Sequence, residues 1–354
     1  MNKKLLFFIL VLPVLAILLT GCAEGLTPAS WAGITVAGEL AYAAAGPQVY
    51  AIDLKNGSEL WRFPEKGSPA KPYYAAPVLT SDDQLIVGGY DKVLYSLDPE
   101  TGGVIWEFPN AQDRWIGSVL IFNDQIYAPN ADHKLYILNL DGELQGEPFQ
   151  ADNSLWATPV TDGEKVYFSS LGSTVYALNA ETGEAVWQKK IDGAILGGIV
   201  LDSDGVLYIG TFSGIMVALD PEDGGVIWQR EFPGQIWSTP ALSNGTLYFG
   251  THNGTVYAIN TQDGSDQWEF LADAPVLGTP LVLESKIVFG TENGALYFVD
   301  RQTVKDNREL LVGKLYGNPV LAGELVLVAP VGGDQTLVAF DFDGKQDWDF
   351  IPGK

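Results

Sequence analysis

The chain has 354 residues, of which 47% are hydrophobic, 12% aromatic and 18% charged, enough for one large core or two ordinary ones and too rich in aromatics for disorder. Its 20 Lys and Arg against 44 Asp and Glu leave a net charge of −24, which excludes nucleic-acid partners and electrostatic binding to anionic lipid. One Cys and two His exclude an intrachain disulfide and a His-rich metal site.

The N-terminus reads as an address. Lys3 and Lys4 precede an apolar run from Leu5 to Leu19, broken only by Pro13, as in a signal peptide. The run is shorter than the roughly 20 residues that span a membrane. It ends in Leu19-Thr20-Gly21-Cys22, which resembles the bacterial lipobox. That resemblance implies removal of residues 1–21 and acylation of Cys22, and so an extracytoplasmic, membrane-anchored lipoprotein. Ala23 after the Cys points to the outer membrane in a cell that has one, and otherwise to the outer face of the plasma membrane. Residues 22–30 are the acylated Cys and a short linker. Its eight residues from Ala23 to Ser30 reach at most about 30 Å, so the folded body stays near its membrane.

Residues 31–354 are built of repeats. Six Trp stand four residues after a Gly: Trp61, Trp106, Trp187, Trp228, Trp268 and Trp348, at intervals of 45, 81, 41, 40 and 80. The two long intervals are each two periods of about 40, which makes eight repeats, with the Trp missing from the third and seventh. Leu135 to Asn139, leading to Gly142, fills the first interval, with Gly146 where Trp would be. Leu296 to Asp300 fills the second, with neither Gly nor Trp after it.

Each repeat predicts four strands, A to D. Strand A carries a small apolar run, as in Ala157-Thr158-Pro159-Val160 and Ser238-Thr239-Pro240-Ala241. Asp162-Gly163 and Asn244-Gly245 then supply the positive φ of a tight hairpin. Strand B is Val166-Tyr167-Phe168 or Leu247-Tyr248-Phe249, followed by turns such as Gly210 to Gly214 and Gly250 to Gly254. Strand C, such as Val175 to Leu178, ends at an Asp or Asn (Asp53, Asp98, Asn179, Asp220, Asn260) whose side chain can start the next reversal. Strand D begins at or just before the Trp. The pattern predicts an all-β fold, an eight-bladed β-propeller of four-stranded antiparallel blades. The first and last repeats are as apolar as the middle ones, so a closed ring is expected rather than a capped linear stack. Trp31-Ala32-Gly33-Ile34 matches strand A and Gln346 to Phe350 matches strand D, so each blade reads as one contiguous repeat, with closure by a borrowed terminal strand left open.

The segment Val175-Tyr176-Ala177-Leu178-Asn179-Ala180-Glu181-Thr182-Gly183-Glu184-Ala185-Val186-Trp187 is similar to the repeat of pyrroloquinoline-quinone (PQQ) enzymes, and the resemblance covers nearly all of the chain after the signal. It implies a quinoprotein-like propeller. Signal, lipobox, size and blade count resemble the short lipoprotein branch of this PQQ-like family, that of the propeller component of the outer-membrane β-barrel assembly machine (BamB-like). The resemblance implies a non-catalytic, monomeric scaffold or assembly factor whose partners are envelope or membrane proteins.

All ten Trp fall in two columns of the repeat. The six strand-D Trp are read as structural, each filling the seam to a neighbouring blade. Trp31, Trp115, Trp156 and Trp237 lie three residues before the strand-A Pro position, and the same column holds Tyr74, Leu196, Leu277 and Tyr316. These eight are expected to ring the mouth of the central channel as a binding rim. Phe212 and His252, on the B–C turns, are expected to share that face. Seams three and seven, without their Trp, are expected to be looser and their blades to exchange amides earlier.

Asp202-Ser203-Asp204-Gly205 and Asp341-Phe342-Asp343-Gly344 resemble fragments of calcium loops but lack the further oxygen ligands and the distant Glu. No phosphate loop, G-x-S-x-G elbow or H-E-x-x-H motif is present. PQQ enzymes hold their quinone with calcium and carboxylates on inserted loops, and no segment here matches those motifs. The reading is therefore a protein-binding propeller with no catalytic residue, no PQQ and no metal. A soluble-ligand or sensor propeller is the alternative, and a PQQ-dependent dehydrogenase the second.

Overall fold

The computed structural model describes residues 32–353, so Cys22 and Trp31 lie outside the described residues. Within them the chain forms eight four-stranded antiparallel sheets, each with its strands in simple sequence order. The first sheet spans residues 33–63 and the last 320–350. Every blade is thus one contiguous repeat, and the ring closes without a borrowed strand.

The turns form for the reasons visible in the sequence. Asn244 and Gly245 take φ of 49° and 72°, as a two-residue hairpin demands. The Asn179 side-chain oxygen accepts the N–H groups of Glu181 and Thr182 at 3.0 and 2.8 Å, closing the C–D turn. Asp202 and Asp341 do the same for their own turns, so the two calcium-like fragments are turn caps.

Strand A differs from expectation. In blades 4 and 6 it is Val160–Thr161 and Ala241–Ser243, beginning where the small apolar run ends. The run itself lies outside the ladder, because Pro159 and Pro240 offer no N–H. It lines the ring's axis, where neighbouring backbones nearly touch: a Cβ added to Gly278 would stand 2.4 Å from Gly317 O. Small residues are needed there because eight strands converge.

There is no single core. The apolar residues form eight clusters, and each joins one blade to the next, as Tyr167 and Ala177 join Ile209 and Leu219. The strand-D Trp lie in six of these seams. Trp187 packs on Tyr167 at 5.8 Å and donates its indole N–H to Pro221 O of the next blade at 3.0 Å. The next blade's turn glycine receives the ring, since a Cβ on Gly224 would lie 2.9 Å from Trp187. The Gly and Trp of one repeat therefore serve two different seams.

Each of the six Trp pairs with a small strand-C residue: Ala51, Ser96, Ala177, Ala218, Ala258 or Ala339. A bulge follows at every one of these six pairs, turning the Trp to the seam. The residue squeezed out is the exposed Leu60, Ile105, Val186 or Ile227 in four of them.

The expectation of loose third and seventh seams is corrected here. Where the Trp is missing, the strand-C residue is large: Ile137 in blade 3 and Phe298 in blade 7. Ile137 comes within 3.3 Å of the Cβ position of Gly183, and Phe298 within 3.2 Å of that of Gly344. Asn307 even replaces the indole hydrogen bond, donating to Asp343 O at 2.7 Å. The bulk has moved from strand D to strand C, and the seam stays filled. What remains weak is the outer edge of blade 3, whose strand D is reduced to Phe149–Gln150. Outward-facing strand-C amides of blade 3 should therefore exchange earlier than those of blade 7 by hydrogen-exchange mass spectrometry, because few ladder bonds protect them.

In blade 7 the turn glycine is replaced by Val304, which holds φ at 56°. A β-branched residue is strained in that region by about 1–2 kcal/mol. Val304 packs in the same cluster as Trp268. Val304→Gly relieves this strain but loses the Val packing and adds the entropy cost of glycine, so urea unfolding should show a change of less than about 1 kcal/mol, well short of the loss expected for an unstrained buried Val.

The closing seam is built like the others. Trp348 donates to Leu54 O at 2.8 Å, across 294 residues of chain, and Ala32, Ile34 and Tyr50 pack against Leu327 and Ala339.

Candidate functional site: the channel mouth

A belt of backbone hydrogen bonds defines one face of the ring. The loop entering each blade is tied to the B–C turns on either side: Ile236 N donates to Thr211 O, and His252 N to Gln235 O. The same alternation runs through Tyr90 to Pro72, Trp115 to Gly89, Val276 to Thr251 and Leu315 to Thr291. The entry loops and the B–C turns therefore share this face, which surrounds the mouth of the channel.

The channel encloses about 350 Å³. Its mouth is ringed by Tyr74, Ile116, Trp156, Leu196, Trp237, Leu277 and Tyr316. Below them the lining is mostly small, Gly and Ala with a few Val and Ile, interspersed with polar Ser118, Thr158, Thr239, Thr279 and Asn318. Several of these side chains bridge neighbouring blades: Ser118 Oγ donates to Ala76 O at 2.9 Å, and Asn318 Oδ1 accepts from Thr279 N at 2.7 Å. Among the described lining residues none is Lys, Arg, Asp or Glu.

Four of the expected rim aromatics, Tyr74, Trp156, Trp237 and Tyr316, thus meet at the mouth. None of the seven mouth residues belongs to an inter-blade cluster, whereas all six strand-D Trp do. Trp31, the eighth member of the column, lies outside the described residues.

Trp115 is not a rim residue, and this is a correction. It is 0% exposed and packs in the seam between blades 2 and 3, with its ring 5.6 Å from Tyr136. It occupies the place of Ile236, Val276 and Leu315 in other blades, each inserted against a glycine of the preceding strand B: Gly88 for Trp115, Gly210 for Ile236. Blade 3 has Val119 where blades 2, 4, 6, 7 and 8 have Pro, so a count from Trp115 to the Pro position falls one residue short. The rim residue of blade 3 is Ile116. The burial strands the indole, whose Nε1 has no partner among the described residues.

The turns add contacts around the mouth. Phe212 stands edge-on to Trp237 at 5.8 Å and is 40% exposed. Tyr90 packs on Tyr74 at 4.3 Å, and the Arg114 guanidinium lies over the Tyr90 ring at 4.9 Å. Burial, and then Tyr90, push the Tyr74 phenol above its usual range. Lys314 reaches Glu292 at 2.7 Å and holds its carboxyl below the usual range, and Tyr316 OH donates to the same oxygen at 3.1 Å. His252 is exposed on the turn of blade 6. Ile116 and Arg114 were not singled out by the sequence, and no single-repeat pattern marks Arg114.

Residues 23–173 and 171–310 match the family described as outer membrane protein assembly factor BamB. The chain belongs to this family. Among solved structures, BamB from Moraxella catarrhalis superposes with a TM-score of 0.70 at 18% identity, over 88% of this chain and 93% of that one. A computationally designed protein, Ika8, gives 0.75 at 14% identity over 90% and 98%. A europium-containing methanol dehydrogenase gives 0.70 at 14% identity over 87% and 85%. At these identities the likeness is one of fold, and the BamB family shares that fold with an enzyme. No curated protein matches the chain by sequence.

Proposed function

We propose that the chain is a lipid-anchored, extracytoplasmic propeller that binds envelope proteins as a scaffold or assembly factor and catalyses no reaction. The observation that carries the reading is the mouth: aromatic and aliphatic side chains left outside every inter-blade core, beside exposed Phe212. Such residues are the anchors a protein partner uses. Membership of the BamB family supports the same class of partner. A photocrosslinking residue placed at Leu196 in intact cells should capture a membrane β-barrel protein or a component that assembles one. Capture of nothing at the mouth, with capture at the outer blade edges, would overturn the reading.

Anchoring is assigned to Cys22. Cys22→Ser should release the protein from membranes or leave its signal uncleaved. A Ser variant that still partitions into detergent with its signal removed would contradict the lipobox.

The methanol dehydrogenase likeness keeps a quinoprotein as the second reading. The channel lining offers PQQ, which carries three carboxylates, no cationic side chain and calcium no carboxylate, and beside the mouth Lys314 and Glu292 are paired with each other. Among the described residues no group of three His, Cys, Asp or Glu could hold a metal. A quinone absorbance retained through gel filtration after adding PQQ and calcium would reverse this assignment.

A further inference from the structure

We propose that the channel-mouth face is the side of the propeller held toward the membrane, and that the opposite face is turned away. The inference rests on acylation of Cys22 and adds to it an orientation. Ala32, the first described residue, lines the channel mouth. The tether from Cys22 therefore joins the body on the mouth face, next to the axis. Ten residue steps separate Cys22 from Ala32, a reach of about 35 Å when fully extended. To lay the opposite face on the membrane, the tether would have to cross a blade from strand A to strand D and then descend its height. Three strand spacings come to roughly 14 Å, and a six-residue strand to roughly 20 Å. That path uses the whole tether before any side chain is cleared.

Charge acts in the same direction. The opposite face is made of the A–B and C–D turns, which carry Asp98 and Glu100, Asp202 and Asp204, Glu222 and Asp223. The mouth face is the less acidic of the two: on its loops and turns Lys66, Lys71, Lys92 and Lys314 offset carboxylates such as Glu65, Asp91, Asp113 and Glu292. The faces are separated by more than two Debye lengths of about 8 Å, so an anionic bilayer meets one at a time and repels the more acidic one more strongly. The most exposed large apolar side chains also lie on the mouth side, at the ends of strand D and just beyond: Leu271 (73%), Leu310 (71%) and Val312 (74%). These are suited to the apolar side of a lipid interface. A partner bound at the mouth then sits between propeller and membrane, which selects a membrane-embedded or membrane-emerging segment over a large soluble protein.

Lysine reactivity tests this without altering the body. The acylated protein on vesicles of phosphatidylethanolamine and phosphatidylglycerol is treated with an acetylating reagent, beside the chain from residue 22 carrying Cys22→Ser free in solution. Mass spectrometry should show Lys66, Lys71, Lys92 and Lys314 acetylated severalfold more slowly on vesicles, with Lys55, Lys305 and Lys345 unchanged. Equal protection of both sets, or protection of the second set alone, would overturn the orientation. Vesicle flotation separates this from failure of the anchor. If the cell-made protein does not float, acylation fails, and coupling the chain from residue 22 to a maleimide lipid through Cys22 puts the orientation to the same test.

Discussion

Trp187→Ala should lower folding stability by about 3–5 kcal/mol, the range for deleting a large buried aromatic. Its indole fills the seam between blades 4 and 5 and bonds Pro221 across it. The same loss should follow Phe298→Ala in blade 7, although that blade has no Trp, because Phe298 fills the corresponding place. The stronger test moves the bulk. Ala177→Phe alone should overpack blade 4 and cost about 1–3 kcal/mol. Combined with Trp187→Ala it should give a protein more stable than Trp187→Ala by itself, since the ring would then come from strand C, as it does in blade 7. Urea unfolding of the four proteins measures the coupling. Strictly additive losses would mean that strand C cannot stand in for strand D and that the correlation around the ring has another origin.

Trp156→Ser with Trp237→Ser should weaken partner binding by about 2 kcal/mol or more, as for paired aromatic hot spots. The melting temperature should fall less than for Trp187→Ala, because both rings face the open mouth and belong to no inter-blade cluster. Trp115→Ser is the internal contrast: it should behave as a core variant and melt early, being fully buried. A pull-down beside a thermal melt on the three variants decides the matter. A double variant that melts as low as Trp187→Ala, and binds normally while folded, would remove the mouth from consideration.

Blade number, strand order and turn chemistry were legible because each is written inside one repeat: the Gly and Trp four apart, the Asx before the turn, Asn-Gly at the hairpin. What was not legible depends on contacts between repeats. Trp115 was misplaced because blade 3 lacks the Pro that marks the register, and only its insertion against Gly88 shows where it belongs. The small run before strand A looked like a strand because its composition is apolar, but smallness there answers the crowding of eight backbones at the axis. The exchange of Trp for Ile137 and Phe298 was visible in principle, since every Trp faces Ala or Ser on strand C and these two blades alone have a large residue there. Comparing strand C across repeats would have found it. The mouth was legible as a column of aromatics, yet its freedom from every core is a property of the assembled ring.

Among the described residues, blade 8 meets blade 1 through packed side chains and the Trp348 indole hydrogen bond, and the two sheets share no strand. The ring therefore has no shared-strand latch, and the seam between blades 8 and 1 is geometrically one junction among eight. A circular permutant that joins residue 350 to residue 33 by a short linker and opens the loop at Asp192 should reach the same fold. An N-terminal tether would then leave the ring from a different point on the circumference while the mouth stayed unchanged, so the point of attachment and the face that carries the mouth are separable properties of this architecture.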